Sequence, residues 1–322
     1  MEREKRVFFN NGILQGIAVL TLTLLVVALI PFVGPIAVIM TPLPILYYCF
    51  RLGGMRGLTA LVVAFLVVSG ILKLLGHPIH ISAFIIIGIT GVMISETLKR
   101  RYSVEKTFAL ASLMLFFCGV GFVLYHALQA GVVPWRMVEM YIEATIKENL
   151  KLYAQMNISE DQIAILRENT MEITRFFTDI FPALTLSGAI LTVWLNVLAG
   201  RSLLRGHIGR FPDFGDLALW KAPEKLVWLL IVSGSMTLAP IEILDTIGMN
   251  VLIVCCLIYL FQGLAIASFF FRQKHIPVIF RGLFYVLIAI QQYMIIFIIA
   301  VGLSDLWIDF RKRITGIKDA HV

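Results

Sequence analysis

Gln291, Gln292 and Tyr293 stand together inside a long apolar run, and Gln262 stands inside the run before it. Uncharged amides in such surroundings offer hydrogen bonding rather than bond-breaking chemistry. In hydrocarbon each must find a partner, so it either bonds to another helix or faces a polar cavity. Neighbouring positions lie about 100° apart around a helix, so Gln291 and Gln292 cannot duplicate each other's contact. Ser233, Ser235 and Thr237 add hydroxyls to a third run, interrupted by Gly234 and Pro240. His126, with Tyr125 and Gln129 beside it, either lines an outward-facing pocket or bonds within a core. The candidate ligand contacts are therefore Gln262, Gln291, Gln292, Tyr293, Ser235 and His126. Interhelical bonding and ligand binding both remain open for them.

The remaining reactive side chains point to less. Lys73 and Glu96 lie near the ends of apolar runs, where their head groups reach water. His77 and His80 flank Pro78-Ile79 without a third ligand nearby, so no metal centre is expected. Cys49, Cys118, Cys255 and Cys256 all sit in apolar runs and read as small buried hydrophobes. Glu242 and Asp245 are the nearest approach to a carboxylate pair at a membrane boundary, and neither HExxH nor GxSxG occurs. No enzyme is expected. Without a Walker loop or a glycine-rich strand-to-helix turn, no nucleotide or other cofactor is implied.

These residues require membrane helices to position them. Of the 322 residues, 59% are hydrophobic and 15% charged, far from the soluble average of about 45–50% and about 25%. Apolar runs of spanning length recur along the whole chain. The fold class is all-α: a polytopic transmembrane bundle of eight or nine helices with an extracytoplasmic amphipathic hairpin. Spans are expected near 12–30, 35–50, 57–75, 80–97, 107–130, 180–199, 225–243, 248–271 and 282–304. The opening MEREKR and its long apolar run read as a first span and not as a cleaved signal.

The stretch from Pro31 to Gly57, dense in proline and glycine, makes sense as a broken entry, a short span and a basic turn at Arg51 and Arg56. With the N-terminus cytoplasmic, the loops at 51–56, 98–106, 201–225 and 272–281 share its side and collect most of the 27 Lys and Arg residues. The segment 131–179, richer in acid, falls outside, as the positive-inside rule requires. Nine crossings would leave Arg311, Lys312, Arg313 and Lys318 outside. Making 225–243 re-entrant returns them to the cytoplasm but moves Arg272, Lys274 and Arg281 out. The charges barely separate the two counts, with a slight lean to eight. The net charge of +7 fits a bacterial inner-membrane protein, and nucleic acid need not be invoked.

Between 134 and 178, Val138, Tyr141, Ile142, Ile146, Leu150 and Tyr153 recur at helical spacing, and Ser159 with Gln162 forms a capping box. A second run (Ile163, Leu166, Ile173, Phe176, Phe177) leads to the next span, giving a two-armed hairpin. It is either a self-packed cap or a lid. Asn157-Ile158-Ser159 also matches a glycosylation sequon. The chain divides as 1–200, a membrane bundle carrying the hairpin; 201–224, a basic loop; and 225–322, additional helices and a basic tail. Asn196, Trp220, Trp228 and the run from Phe211 to Gly215 belong to the cytoplasmic rim.

Gly34-Pro35, Pro44-Ile45 and the small-residue ladder Gly53, Gly57, Ala60, Ala64 resemble the second and third helices of substrate-binding (S) components of energy-coupling-factor vitamin transporters. Over most of its length, including Asp305, Asp309 and the Arg311-Lys312-Arg313 run, the chain more closely resembles the YybS-like family of uncharacterised bacterial membrane proteins. The S-component resemblance implies a small-molecule-binding membrane protein that works with a coupling or energising membrane complex. It also implies that Gly12 and Gly16, spaced for close backbone approach, dock that partner. The alternative is a membrane scaffold that uses the hairpin and basic loops to bind proteins. Beyond the lipid bilayer, the partner stays unidentified.

Overall fold

The computed structural model describes residues 2–30, 38–77, 81–155, 159–204 and 214–315, with side chains from Gly12 onward and those of Glu160 and Thr315 left aside. The described residues are mostly helical, with no strand among them. In chain order the helices are α1 (Glu2–Leu29), α2 (Pro42–Leu52), α3 (Gly54–Leu74), α4 (Ile81–Lys99), α5 (Val104–Ala130), α6 (Pro134–Gln155) and α7 (Glu160–Glu168). There follow α8 (Thr170–Asp179), α9 (Phe181–Leu204), α10 (Leu226–Met236), α11 (Glu242–Gln273), α12 (Val278–Ile290), α13 (Gln292–Ile308) and α14 (Phe310–Thr315), with a 3₁₀ turn at Leu217–Leu219. The calls on Gly34-Pro35, His80, Asn157-Ile158, 211–213 and Lys318 lie outside the described residues.

Six of the described helices are long and apolar enough to cross a membrane, or seven if the bent α12–α13 pair is one span. The shortfall against eight or nine comes from two short apolar helices, Val38–Leu52 and Leu226–Met236. The expected straight helix over 282–304 is instead broken, with α12 and α13 meeting at an angle of 108°. Gln291 leaves helical geometry there (φ −99°, ψ 106°).

The chain forms two compact units, Met1–Tyr141 with Gly188–Asp213, and Ile142–Ser187 with Phe214–Val322. In the first, α3 presents Ala60, Ala64 and Val68, all fully buried, to a core shared with Leu20 and Leu24 of α1. The small residues let the helices approach closely, and the ladder seen in the sequence is this packing face. At Gly91 of α4, a Cβ would come within 2.6 Å of the Ile45 Cβ on α2. Local chemistry sets the ends of α5. The Ser103 hydroxyl accepts from the Lys106 amide (3.3 Å) at its start, and Gly131 closes it in the left-handed conformation (φ 67°). Asn196, expected at the cytoplasmic rim, is fully buried and donates to the carbonyls of Ile39 and Thr192, both at 2.7 Å.

In the second unit, α11 is the axis against which α10 and α13 pack. Gly263 and Gly302 make the α11–α13 contact a backbone-to-backbone one. A Cβ on Gly263 would overlap the Ile298 carbonyl, and one on Gly302 the Tyr259 carbonyl. Asn250 of α11 clamps the junction of α8 and α9, accepting from the Ala183 amide (2.8 Å) and donating to the Asp179 carbonyl (2.7 Å). The two arms of the hairpin barely touch within this unit, so a self-packed cap finds no support. Its second arm is split at Asn169 into α7 and α8. Ser159 is the N-cap residue of α7 as expected, but its hydroxyl makes no capping bond.

Candidate functional site

Of the residues singled out in the sequence, Gln262 has the richest surroundings. It is 1% exposed, and its amide is shared between two elements. Oε1 accepts from the Ala222 amide (3.0 Å), and Nε2 donates to Asp305 Oδ2 (3.1 Å). Asp305 sits on α13 and is 2% exposed. Its Oδ1 accepts from the Phe310 amide (2.9 Å), and its Oδ2 also accepts from Arg311 Nη1 (2.7 Å). Arg311, 6% exposed, donates through Nε to the Ala218 carbonyl (3.1 Å) and through Nη2 to the Trp220 carbonyl (2.8 Å).

The chain can close this loop because Asp309 ends α13 in the left-handed conformation (φ 44°), which aspartate tolerates better than most residues. That turn brings Arg311 back to Asp305. Burial draws the Arg311 guanidinium below its ordinary value, and the carboxylates of Asp305 and Asp309 oppose the shift. Outside the buried core, Lys221 Nζ bonds Asp309 Oδ2 (3.2 Å), and Arg272 pairs with Asp216. The cluster is a clamp on the segment 216–222: its carboxylate, guanidinium and amide are committed to protein partners.

Burial pushes the Asp309 carboxyl up, but the hydrogen bond and charge of Lys221, helped by Lys312, hold it below its ordinary value. A lowered carboxylate pKa stabilises the fold at pH above the ordinary value of about 4, and the gain disappears as pH falls through the lowered one. Asp309→Asn, which keeps a left-handed-tolerant residue, is therefore expected to melt below wild type at neutral pH. The gap should close as pH falls below about 4. Thermal denaturation in detergent across pH reads this directly, and a gap that ignores pH would count against it.

The other candidates lie apart from this clamp. Gln291, Gln292 and Tyr293 (82% exposed) sit at the α12–α13 break on the surface of the second unit. Neither side-chain amide has a hydrogen-bond partner among the described residues. Ser235 Oγ folds back onto the Ile231 carbonyl of its own helix (2.9 Å). In the first unit, the His126 ring packs edge-on against Phe122 (4.4 Å between centroids) and Tyr125 (5.3 Å) on α5. Gly12 and Gly16 face α2 of the same chain: a Cβ on Gly16 would come 3.1 Å from the Tyr48 ring, and one on Gly12 3.3 Å from Leu52. Their close approach is thus used within the chain.

The first unit also contains a half-open cleft of about 380 Å³ that the sequence did not suggest. Val27, Leu72, Phe84, Ile87 and Phe122 line it, with His77 as the polar group among the described residues. The signal was faint because all the lining residues but His77 are ordinary apolar residues, and only the packing of α1, α3, α4 and α5 leaves a gap between them.

A model of the family described as "Predicted membrane protein (DUF2232)" matches residues 17–306. The chain belongs to this family. The DUF2232 match begins within α1 and ends within α13, so it includes the cleft, Gln262 and Asp305 but not Arg311. The chain is also similar to the "Uncharacterized protein YybS" of Bacillus subtilis (strain 168), at 21% identity over 328 residues that cover 97% of this chain and 99% of that one. No solved structure matches. DUF2232 membership agrees with the YybS-like resemblance and with an integral membrane protein; S components are not among the matches.

Proposed function

We propose that this DUF2232 protein is a transport-type protein of the bacterial cytoplasmic membrane, its N-terminus inside. It holds a small molecule in the cleft of its first unit and works with partner subunits. The observation that carries this reading is the cleft itself. Its volume of about 380 Å³ falls within the range of about 300–1,000 Å³ typical of ligand pockets. Its apolar wall with one imidazole suits a molecule with an apolar body and a single hydrogen-bonding group. The S-component resemblance supports the same role, and a chain with no nucleotide-binding loop would draw energy for uptake from a coupling complex. On this reading the ligand contacts lie at the cleft and not at Gln291 and Gln292.

The scaffold alternative draws on α6, whose Trp135, Met140 and Leu152 stay largely exposed. Thermal stabilisation of the purified protein by a panel of metabolites and lipids separates the two. A ligand at a hundred times its Kd should stabilise by about 2.7 kcal/mol, and filling the cleft with Ala28→Trp or Ala83→Trp should abolish the shift. Stabilisation that survives both fillings would overturn the cleft assignment, and the absence of any stabilising compound would favour the scaffold.

A further inference from the structure

The segment 216–222 touches the ends of two different helices. Asp216 pairs with Arg272 in the last turn of α11. Ala218 and Trp220 accept from Arg311, just past the end of α13, and Lys221 pairs with Asp309, which caps α13. Asp216 and Ala218 are two residues apart, a reach of about 7 Å at most. The end of α11 and the end of α13 are thus held at one level by the same short stretch of chain.

The other end of α11 is elsewhere. Glu242 pairs with Arg175 of α8, and Asn250 clamps Asp179 and Ala183. From Asn250 to Arg272 is 22 residues, or about 33 Å of helix, enough to cross a hydrocarbon core of about 30 Å. So α11 runs from one membrane face to the other, and the segment 216–222 marks the face at which it ends.

Between that face and its own return lie only α12 and α13. Their 13 and 17 residues make about 20 and 26 Å of helix, each short of the core thickness. Joined straight they would cross; they are bent by 108°, the end of α13 is held at the segment 216–222, and α12 begins six residues after Arg272, which pairs with that same segment. We infer that residues 278–308 form a re-entrant hairpin, which enters the membrane and leaves it through the same face. The C-terminal helix α14 therefore lies on the side of the 214–225 loop.

This reading resolves the charge conflict in the sequence. With the last pair folded back, the number of crossings is even whether the six long helices are counted alone or with the two short ones, Val38–Leu52 and Leu226–Met236. Arg272, Lys274 and Arg281 stay cytoplasmic, and Arg311, Lys312 and Arg313 join them, so the positive-inside rule holds at every basic cluster. On this inference 278–308 takes the re-entrant role that the sequence offered to 225–243, whose helix Leu226–Met236 is short. The hairpin's turn carries Gln291, Gln292 and the unpaired backbone groups of two helix ends into the membrane. In such a place polar groups are tolerated only against protein or a water-filled cavity.

Single cysteines in a background lacking Cys49, Cys118, Cys255 and Cys256 test the inference. Arg313→Cys, Lys225→Cys and Glu172→Cys would be labelled with a membrane-impermeant maleimide in intact and in permeabilised cells. Re-entry predicts that Arg313→Cys shares the pattern of Lys225→Cys and opposes that of Glu172→Cys. If Arg313→Cys follows Glu172→Cys instead, the last pair crosses and the inference is overturned. Lys274→Cys, at the end of α11, checks the premise that α11 spans: it should match Lys225→Cys, and a match to Glu172→Cys would overturn the inference at that step.

Discussion

Arg311→Ala is expected to destabilise the second unit by about 3–5 kcal/mol, the typical cost of stranding one partner of a buried ion pair. The side chains of Arg311 and Asp305 are 7% and 0% exposed, so solvent cannot replace the lost partner. Removal of Arg311 leaves the Asp305 carboxylate with the Phe310 amide and Gln262, both neutral donors. It also frees the Ala218 and Trp220 carbonyls, and the segment 216–222 loses its hold on α13. Thermal unfolding in detergent would record a large drop in midpoint, and limited proteolysis should show new cleavage within 214–225.

The double variant Asp305→Leu/Arg311→Met sharpens the point. Replacing a buried pair by apolar residues of similar volume is often neutral or stabilising, so the double variant should recover much of what the single one loses. A double variant as unstable as Arg311→Ala would show that the lost carbonyl bonds, and not the stranded charge, dominate.

The second large effect is expected at the α11–α13 contact. Gly302→Val should destabilise by about 1–3 kcal/mol or more, as overpacking does, and the upper end applies because the obstacle is the Tyr259 carbonyl, part of the backbone. A side chain could turn aside, but α11 as a whole would have to move. Gly282→Ala is the control, since a Cβ there meets nothing within 4 Å, and it should be neutral. Gly16→Ala falls between, because the Tyr48 ring 3.1 Å away must yield slightly. Separating α11 from α13 also draws Gln262 away from Asp305. The Gly302→Val and Arg311→Ala losses should therefore sum to more than the double variant shows. Strict additivity would mean that the glycine contact and the clamp are independent.

Much of this fold was legible in the sequence because it follows from short-range properties. The Gly57–Ala60–Ala64 face depends on residues within a turn or two of one another, and so does the helix start at Ser159, although its hydroxyl makes no capping bond. The short helix through Pro42 and Pro44 and the Arg51 to Arg56 turn were recognised for the same reason. The feature that escaped was the break at Gln291. The run 278–308 is apolar on both sides of it and contains no proline within the helices, so composition alone reads it as one span. Two adjacent glutamines signalled that something polar happens there, but not that the backbone turns.

The clamp shows the same limit. Gln262, Asp305 and Arg311 were each visible, yet Gln262 lies 43 residues from Asp305, and Arg311 93 residues from Ala218. A buried amide in a membrane helix reads equally as glue or as a ligand contact, and only its partners decide between them. By itself the sequence determined that the protein is an all-helical membrane protein and which loops carry its positive charge, since burial in lipid selects for composition before any contact forms. Tertiary structure alone decided which polar residues meet, where the packed helices leave a cleft, and that the last pair turns back. Those outcomes depend on hydrogen bonds and close backbone contacts between segments far apart in the chain.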